Sequence, residues 1–147
     1  MEHQTYTLQV FRVGARQFAL EESEIATIAD WRRPTPLPQA PPAVMGIVSL
    51  QGRMLTVLDL GKITEGDSAD DGTPQHIIAL RGDEQLGLAV HQIAAKLKTS
   101  DVAFDGSDSS AITHGVLEHQ GEQILIVNRK GLFSSAIQGR ERRQRRF

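Results

Sequence analysis

The 147-residue chain contains no cysteine, which excludes disulfides and thiolate catalysis and leaves the redox compartment open. Aromatic residues make up only 5%. Tyr6, Phe11, Phe18, Trp31, Phe104, Phe133 and Phe147 stand singly along the chain, too scattered for the base-stacking groove of a single-strand-binding barrel. No apolar run approaches the roughly 20 residues that a spanning helix needs. The stretch Met1-Glu2-His3-Gln4-Thr5 has neither a basic region nor an apolar core and does not read as a signal peptide. The expectation is a soluble, cytoplasmic protein.

Catalytic and metal-binding patterns are equally scarce. The chain has no Gly-rich phosphate loop, no serine nucleophile elbow and no convergent pair of carboxylates. His3, His76, His91, His114 and His119 show no pair at metal-ligand spacing with carboxylate support. The acidic stretch from Asp67 fails as a calcium loop: its third position is Ala69 and its twelfth is Ile78, where oxygen ligands are required. No catalytic residue, no metal and no cofactor is expected, and so no enzyme.

The net charge of −2 conceals an asymmetry. The last eight residues hold Arg140, Arg142, Arg143, Arg145 and Arg146 against a single glutamate, whereas the rest of the chain is acidic. Such a run is an electrostatic docking element for an acidic partner or, more blandly, a solvated, disordered terminus. An acidic body repels phosphates, so nucleic-acid binding ranks below protein binding.

What the chain does contain is an internal echo. Residues 46–59, Gly-Ile-Val-Ser-Leu-Gln-Gly-Arg-Met-Leu-Thr-Val-Leu-Asp, return in degraded form at 115–128, 69 positions later. Each copy is an apolar run, a Gln-Gly turn and a second apolar run, the signature of a tight β-hairpin. One repetition suggests two related β lobes and not a solenoid, which needs three or more stacked units.

The remaining pattern is mostly strands. Residues 5–13 and 17–20 read as strands joined through Gly14-Ala15-Arg16. Residues 21–29 read as a short helical turn entering a strand. Prolines 34, 36, 38, 41 and 42 forbid regular structure and form a stiff connector into the first repeat hairpin. Residues 61–74 read as an exposed loop marking the lobe boundary. A third hairpin follows at 76–81 and 85–91, whereas 92–98 fits either a strand or a helical turn. After a loop at 105–110 comes the second repeat hairpin, then a short helix over 129–137 that ends at Gly139. Many short strands separated by turns point to an all-β barrel protein.

In this order the segments resemble the CheW-like domain family, the coupling module of bacterial chemosensory systems. The resemblance runs from about Thr5 to Phe133. It rests on Phe18-Ala19-Leu20, the Ile25/Ile28 segment, Pro36-Leu37-Pro38 with Ala40-Pro41, Gly46 through Gly52, Leu55 through Leu60, and Gly87 through Ile93. It implies two small five-stranded SH3-like β barrels packed together in one unit over residues 1–139, followed by a basic tail at 140–147. It also implies a non-catalytic adaptor joining chemoreceptor cytoplasmic tips to the regulatory domain of a CheA-type histidine kinase. An alternative is a scaffold of the same fold serving an unrelated partner through its arginine tail.

Departures from the family pattern fall at Gln51, where an arginine is usual, and at Thr27, where a glutamate is usual. Replacing both partners of an ion pair is nearly neutral, whereas losing one strands a charge. Thr56 and His91 stand where proline and aspartate are usual. The expected partner contacts are Ile25, Thr27, Ile28, Val48, Leu50, Gln51, Gly52, Val90 and His91. A core role competes at Ile28, Val48, Leu50 and Val90, because alternating apolar strand residues face inward.

Overall fold

The computed structural model describes residues 5–65, 72–104 and 112–133. Eleven strands are found among them: β1 Tyr6–Val13, β2 Arg16–Glu21, β3 Ile25–Asp30, β4 Val44–Leu50, β5 Arg53–Leu58, β6 His76–Leu80, β7 Leu86–Val90, β8 Gln92–Thr99, β9 Ala103–Phe104, β10 Thr113–His119 and β11 Glu122–Val127. A single 3-10 turn spans Glu22–Glu24, and two short helices, α1 Leu60–Glu65 and α2 Arg129–Phe133, follow β5 and β11.

The strands form two sheets. Lobe A has the order β8-β1-β2-β11-β10-β9, and lobe B the order β3-β6-β7-β5-β4. The expected mostly-β pair of small barrels is therefore found, with a sixth, two-residue strand in lobe A. Alternate residues serve two cores. Ile77 and Ala79 of β6 face a cluster inside lobe B, and Leu8 and Val10 of β1 face one inside lobe A. Ile78 and Leu80, with Phe11 and Phe18, enter a third cluster shared by both lobes. Strand β7 is buried along its whole length, as expected for a central strand covered on both faces.

The echo in the sequence is an echo in hydrogen bonding. Val48 lies opposite Leu55, and Leu117 opposite Ile124; Leu50 lies opposite Arg53, and His119 opposite Glu122. Every register pair of β4–β5 recurs in β10–β11 at an offset of 69, including the irregularity before Gly46 and before Gly115. The turns match as well: φ is 50° at Gln51 and 52° at Gln120, then 78° at Gly52 and 79° at Gly121. Two consecutive residues at positive φ define a type I′ turn, whose twist suits a two-residue hairpin. The Asp59 N–H donates to the Ala43 carbonyl at 2.9 Å, and the Asn128 N–H to the Ile112 carbonyl at 2.8 Å.

The equivalence reaches beyond the hairpins. Strand β3 against β6 repeats β8 against β1, and the single bridge of Thr35 to Ile47 repeats the pairing of Ala103 with Val116. Parallel pairing of β5 with β7 repeats that of β11 with β2. Lobe B is thus built from one continuous stretch, β3 to β7. Lobe A is built from β8 to β11 and completed by the N-terminal hairpin β1–β2.

Two expectations need correction. The boundary between lobes does not lie near 61–75, because β5 and β6 on either side of that segment share a sheet. The chain passes between lobes at 21–25 and at 90–92 instead. The expected loop from Gly61 also begins as α1. Asp59 initiates it: its Oδ1 accepts from the Gly61 N–H at 2.9 Å and from the Lys62 N–H at 3.4 Å, satisfying donors that the first turn leaves without partners. The undecided segment after His91 is a strand, β8. The C-terminal helix is described only as far as Phe133, and its expected end at Gly139 lies outside the described residues.

Candidate functional site

The structure divides the expected contact residues into three groups. Val48 and Leu50 are each 5% exposed and belong to the core of lobe B; Val90 is fully buried in the shared core. These three are packing residues and present no surface to a partner, which corrects the expectation. The competing core role therefore holds for them. It fails for Ile28, which is 37% exposed. Ile28 lies on β3, an edge strand in the sheet order, where burial alternates and Ala26, Ile28 and Asp30 are the exposed set.

Ile25 and Thr27 are half-buried on the same strand, and Ile25 also packs against the shared core. Gln51 and Gly52 form the exposed tip of the β4–β5 hairpin. Among the described residues no hydrogen bond joins Thr27 to Gln51. Both are neutral, so the tip and the edge carry no mutual charge attraction.

His91 does structural work. The Gly14 N–H donates to its Nδ1 at 3.0 Å, and its Nε2 lies 3.1 Å from the Gly72 carbonyl oxygen. Because Nδ1 accepts, the neutral ring carries its proton on Nε2 and donates to Gly72. The His91 N–H also donates to the Arg12 carbonyl at 2.9 Å. The residue following β7 of lobe B is thereby tied to the β1–β2 hairpin of lobe A.

A second tie lies at the other passage between lobes. Arg129, opening α2, reaches Glu24 through Nε at 3.6 Å and Glu84 through Nη1 at 3.7 Å. Burial pushes the Glu24 carboxyl above its usual range and Glu21 adds to this, while Arg129 and Lys130 oppose it. The Arg81 N–H donates to the Glu24 carbonyl at 2.9 Å. Next to this turn a polar cleft of about 650 Å³ is lined by Tyr6, Glu21, Glu22, Ile25, Arg81 and Lys96, with Lys96 paired to Glu22.

Sequence reasoning missed a shallow groove of about 410 Å³ along the outer edge of β4, beside the Thr35–Ile47 bridge. Leu37 and Met54, 41% and 57% exposed, and Ile47 give it an apolar floor; Arg32 and Arg33 stand beside it. Arg32 Nη1 donates to the Ser49 carbonyl at 2.9 Å, which occupies an acceptor that an edge strand otherwise leaves open. The available signal was the pair Arg32-Arg33 directly before the proline connector. No group of three or more His, Asp or Glu side chains able to hold a metal ion exists among the described residues. The arginines of the tail, Arg140 to Arg146, lie outside the described residues. No helix among those described is long and apolar enough to cross a membrane.

Comparison with known proteins agrees with this architecture. The CheW-like domain matches residues 7–136. A chemotaxis protein CheW of Rhizobium meliloti (strain 1021) is 30% identical over 138 residues, covering 87% of each chain. A chemotaxis protein CheW of Bacillus subtilis (strain 168) is 32% identical over 86 residues, covering 56% of this chain and 54% of that one. Among solved structures, the scaffolding protein TtCheW from Thermoanaerobacter tengcongensis superposes with a TM-score of 0.73 at 18% identity, covering 86% of both chains. With a match that spans both lobes and a relative similar over most of its length, the chain belongs to the CheW-like domain family.

Proposed function

We propose that this protein is a chemotaxis coupling adaptor that binds the regulatory domain of a CheA-type histidine kinase and the cytoplasmic tip of a chemoreceptor, without catalysing a reaction. The observation that carries this reading is the extent of the family match, residues 7–136, which takes in every strand of both lobes but the first residue of β1. The relatives named as chemotaxis proteins support it. An adaptor of this kind works in the cytoplasm. Its chemistry is the burial of apolar surface at more than one interface, with polar groups setting register.

Within that function the contacts fall to the exposed and half-exposed members of the expected set other than His91, which ties the lobes together: Ile25, Thr27 and Ile28 on the β3 edge and Gln51 and Gly52 at the hairpin tip. Neutral Thr27 and Gln51 remove a charged element from partner choice and leave apolar burial and shape to discriminate. Residues 1–139 act as the coupling unit, and the arginines of 140–147 add long-range attraction to acidic partners.

Titration calorimetry of the full chain with the kinase regulatory domain and with receptor-tip fragments tests the proposal. Saturable binding to each supports it, and absence of heat with both overturns it. Neither the unrelated-scaffold reading nor nucleic-acid binding gains support from the relatives.

A further inference from the structure

Strand β3 carries Ile25, Thr27 and Ile28, yet it has a single neighbour in its sheet, β6. Its register slips between Ile25 and Thr27, which lie opposite the adjacent residues Leu80 and Ala79. One residue is therefore extra on β3, and a bulge of this kind bends an edge strand and re-aims its side chains. The direction taken by Ile25, Thr27 and Ile28 depends on what holds the turn just before them, Glu22–Glu24.

That turn is held from both lobes through one residue. The Glu24 carbonyl accepts from the Arg81 N–H, directly after β6, at 2.9 Å. Its carboxylate faces Arg129 of α2, 3.6 Å from Nε. Helix α2 is fixed in turn, since Leu132 is fully buried and Phe133 packs on the shared core. The guanidinium lies against Gly82, where a Cβ would come within 2.5 Å of Nη1, so bare backbone makes room for it. A second carboxylate, that of Glu84, stands 3.7 Å from Nη1.

The two carboxylates differ in what they can do without Arg129. The Glu84 side chain is 40% exposed and can turn to water, whereas that of Glu24 is 27% exposed. Burial already raises the proton affinity of Glu24, and Glu21 adds to this, while Arg129 and Lys130 oppose it. Among the described residues Arg129 is the only ion-pair partner of Glu24. A half-buried carboxylate deprived of its cation regains hydration by swinging outward. Here that movement drags the turn, and Ile25 next to it.

We infer that Arg129 is a positioning residue for the partner-binding edge: by keeping the Glu24 carboxylate inward, it fixes the aim of Ile25, Thr27 and Ile28. The inference rests on the reading of β3 as a contact edge, and Arg129 acts through Glu24 and not by touching the partner. A site competent only about one fifth of the time binds with about fivefold lower apparent affinity, which is the scale expected when Arg129 is lost.

Two measurements on the full chain test it: calorimetric titration with the kinase regulatory domain and a receptor-tip fragment, and amide chemical shifts of residues 25–28 without partner. Arg129→Met should weaken, about fivefold, the partner that Ile28→Asp weakens, and should shift those amides. Arg129→Lys should recover most of both. Glu24→Gln should bind like wild type and, added to Arg129→Met, should restore binding and shifts, because a neutral amide has no charge to rehydrate. Gly121→Ala, at the β10–β11 tip, controls for stability and should leave affinity unchanged.

Three results overturn the inference: Arg129→Met with wild-type shifts and affinity, failure of Glu24→Gln to rescue it, or a Gly121→Ala protein that binds equally weakly. Should Arg129→Met fail to fold, a folded double variant with wild-type shifts supports the inference and an unfolded one overturns it. If the wild type gives no heat with either partner, the coupling reading falls. The amide shifts, and their return in the double variant, still decide what sets the β3 edge.

Discussion

Gly46 of β4 sits against Thr35 so closely that a Cβ on it would lie 2.7 Å from the Thr35 carbonyl carbon and nearer still to its oxygen. The Thr35 N–H donates to the Ile47 carbonyl at 2.8 Å and the Ile47 N–H returns a bond to Thr35 at 2.9 Å, so neither backbone is free to withdraw. At φ of 144° the position also disfavours any L side chain. Gly46→Ala should therefore destabilise the protein by about 3 kcal/mol or more. Gly121→Ala, with open space around the added carbon, should cost only about 1–2 kcal/mol, the usual penalty of left-handed backbone. Urea unfolding of the two variants side by side checks the difference.

His91→Ala removes the acceptor of the Gly14 N–H and the donor to Gly72. A loss of about 1 kcal/mol in unfolding free energy is expected for a half-buried hydrogen bond of this kind. The Gly14 amide should also exchange faster with solvent. His91→Asn, which retains a short acceptor, should recover part of both effects. Equal exchange at Gly14 in all three proteins would show that the ring does not hold the hairpin.

The native Glu24 carboxyl binds its proton more tightly than the same group in the unfolded chain, because burial disfavours the carboxylate. Its contribution to stability therefore falls as pH rises from about 4.5, the unfolded value, through the higher native one, and returns on acidification. Glu24→Gln should flatten the stability profile in that window. Denaturation midpoints from pH 4 to pH 7, wild type against variant, measure it; parallel profiles would contradict the assignment.

Ile28→Asp and Val90→Asp separate contact from core. The first changes an exposed edge residue, so stability should move by no more than about 0.5 kcal/mol, while affinity for the kinase regulatory domain or the receptor tip should drop about tenfold or more. Val90→Asp buries a carboxylate without a partner and should unfold the protein. Calorimetric titration of folded Ile28→Asp with both partners gives the answer.

Installing glutamate at Thr27 and arginine at Gln51 asks whether the hairpin tip and the β3 edge communicate. A coupling above about 0.5 kcal/mol in the double-mutant cycle indicates that the side chains interact; additivity within that margin indicates separate contacts.

Much of the architecture could be read before the coordinates. The two Gln-Gly turns predicted β4–β5 and β10–β11 because two consecutive positive φ values leave few residue choices. Strand β8 escaped a decision because only Ile93, Leu97 and Thr99 are even partly buried among its eight residues, and an edge strand lacks the alternation that full burial imposes. Helix α1 was hidden by Gly61, since its start depends on the Asp59 side chain more than on helix propensity. The completion of lobe A by β1–β2 left no trace: Leu8 and Ile77 are equivalent in register, but both read simply as buried aliphatics. Contact residues were the hardest to place. Val48, Leu50 and Ile28 look alike in sequence and all lie on terminal strands of their sheet, and only the way each side chain is covered separates core from surface.

The division of lobe A between the two ends of the chain sets an order of events on the ribosome. The β1–β2 hairpin emerges first but has no sheet to join until β8 and β11 have been made. At about 5–20 residues per second that wait lasts roughly 5–20 s, long enough for continuous lobe B to close unaided. Leu8, Val10 and Ala19, whose packing partners Leu117, Ile124 and Ile126 are made last, meanwhile remain uncovered apolar groups on a nascent segment, the period in which a chaperone has most to hold.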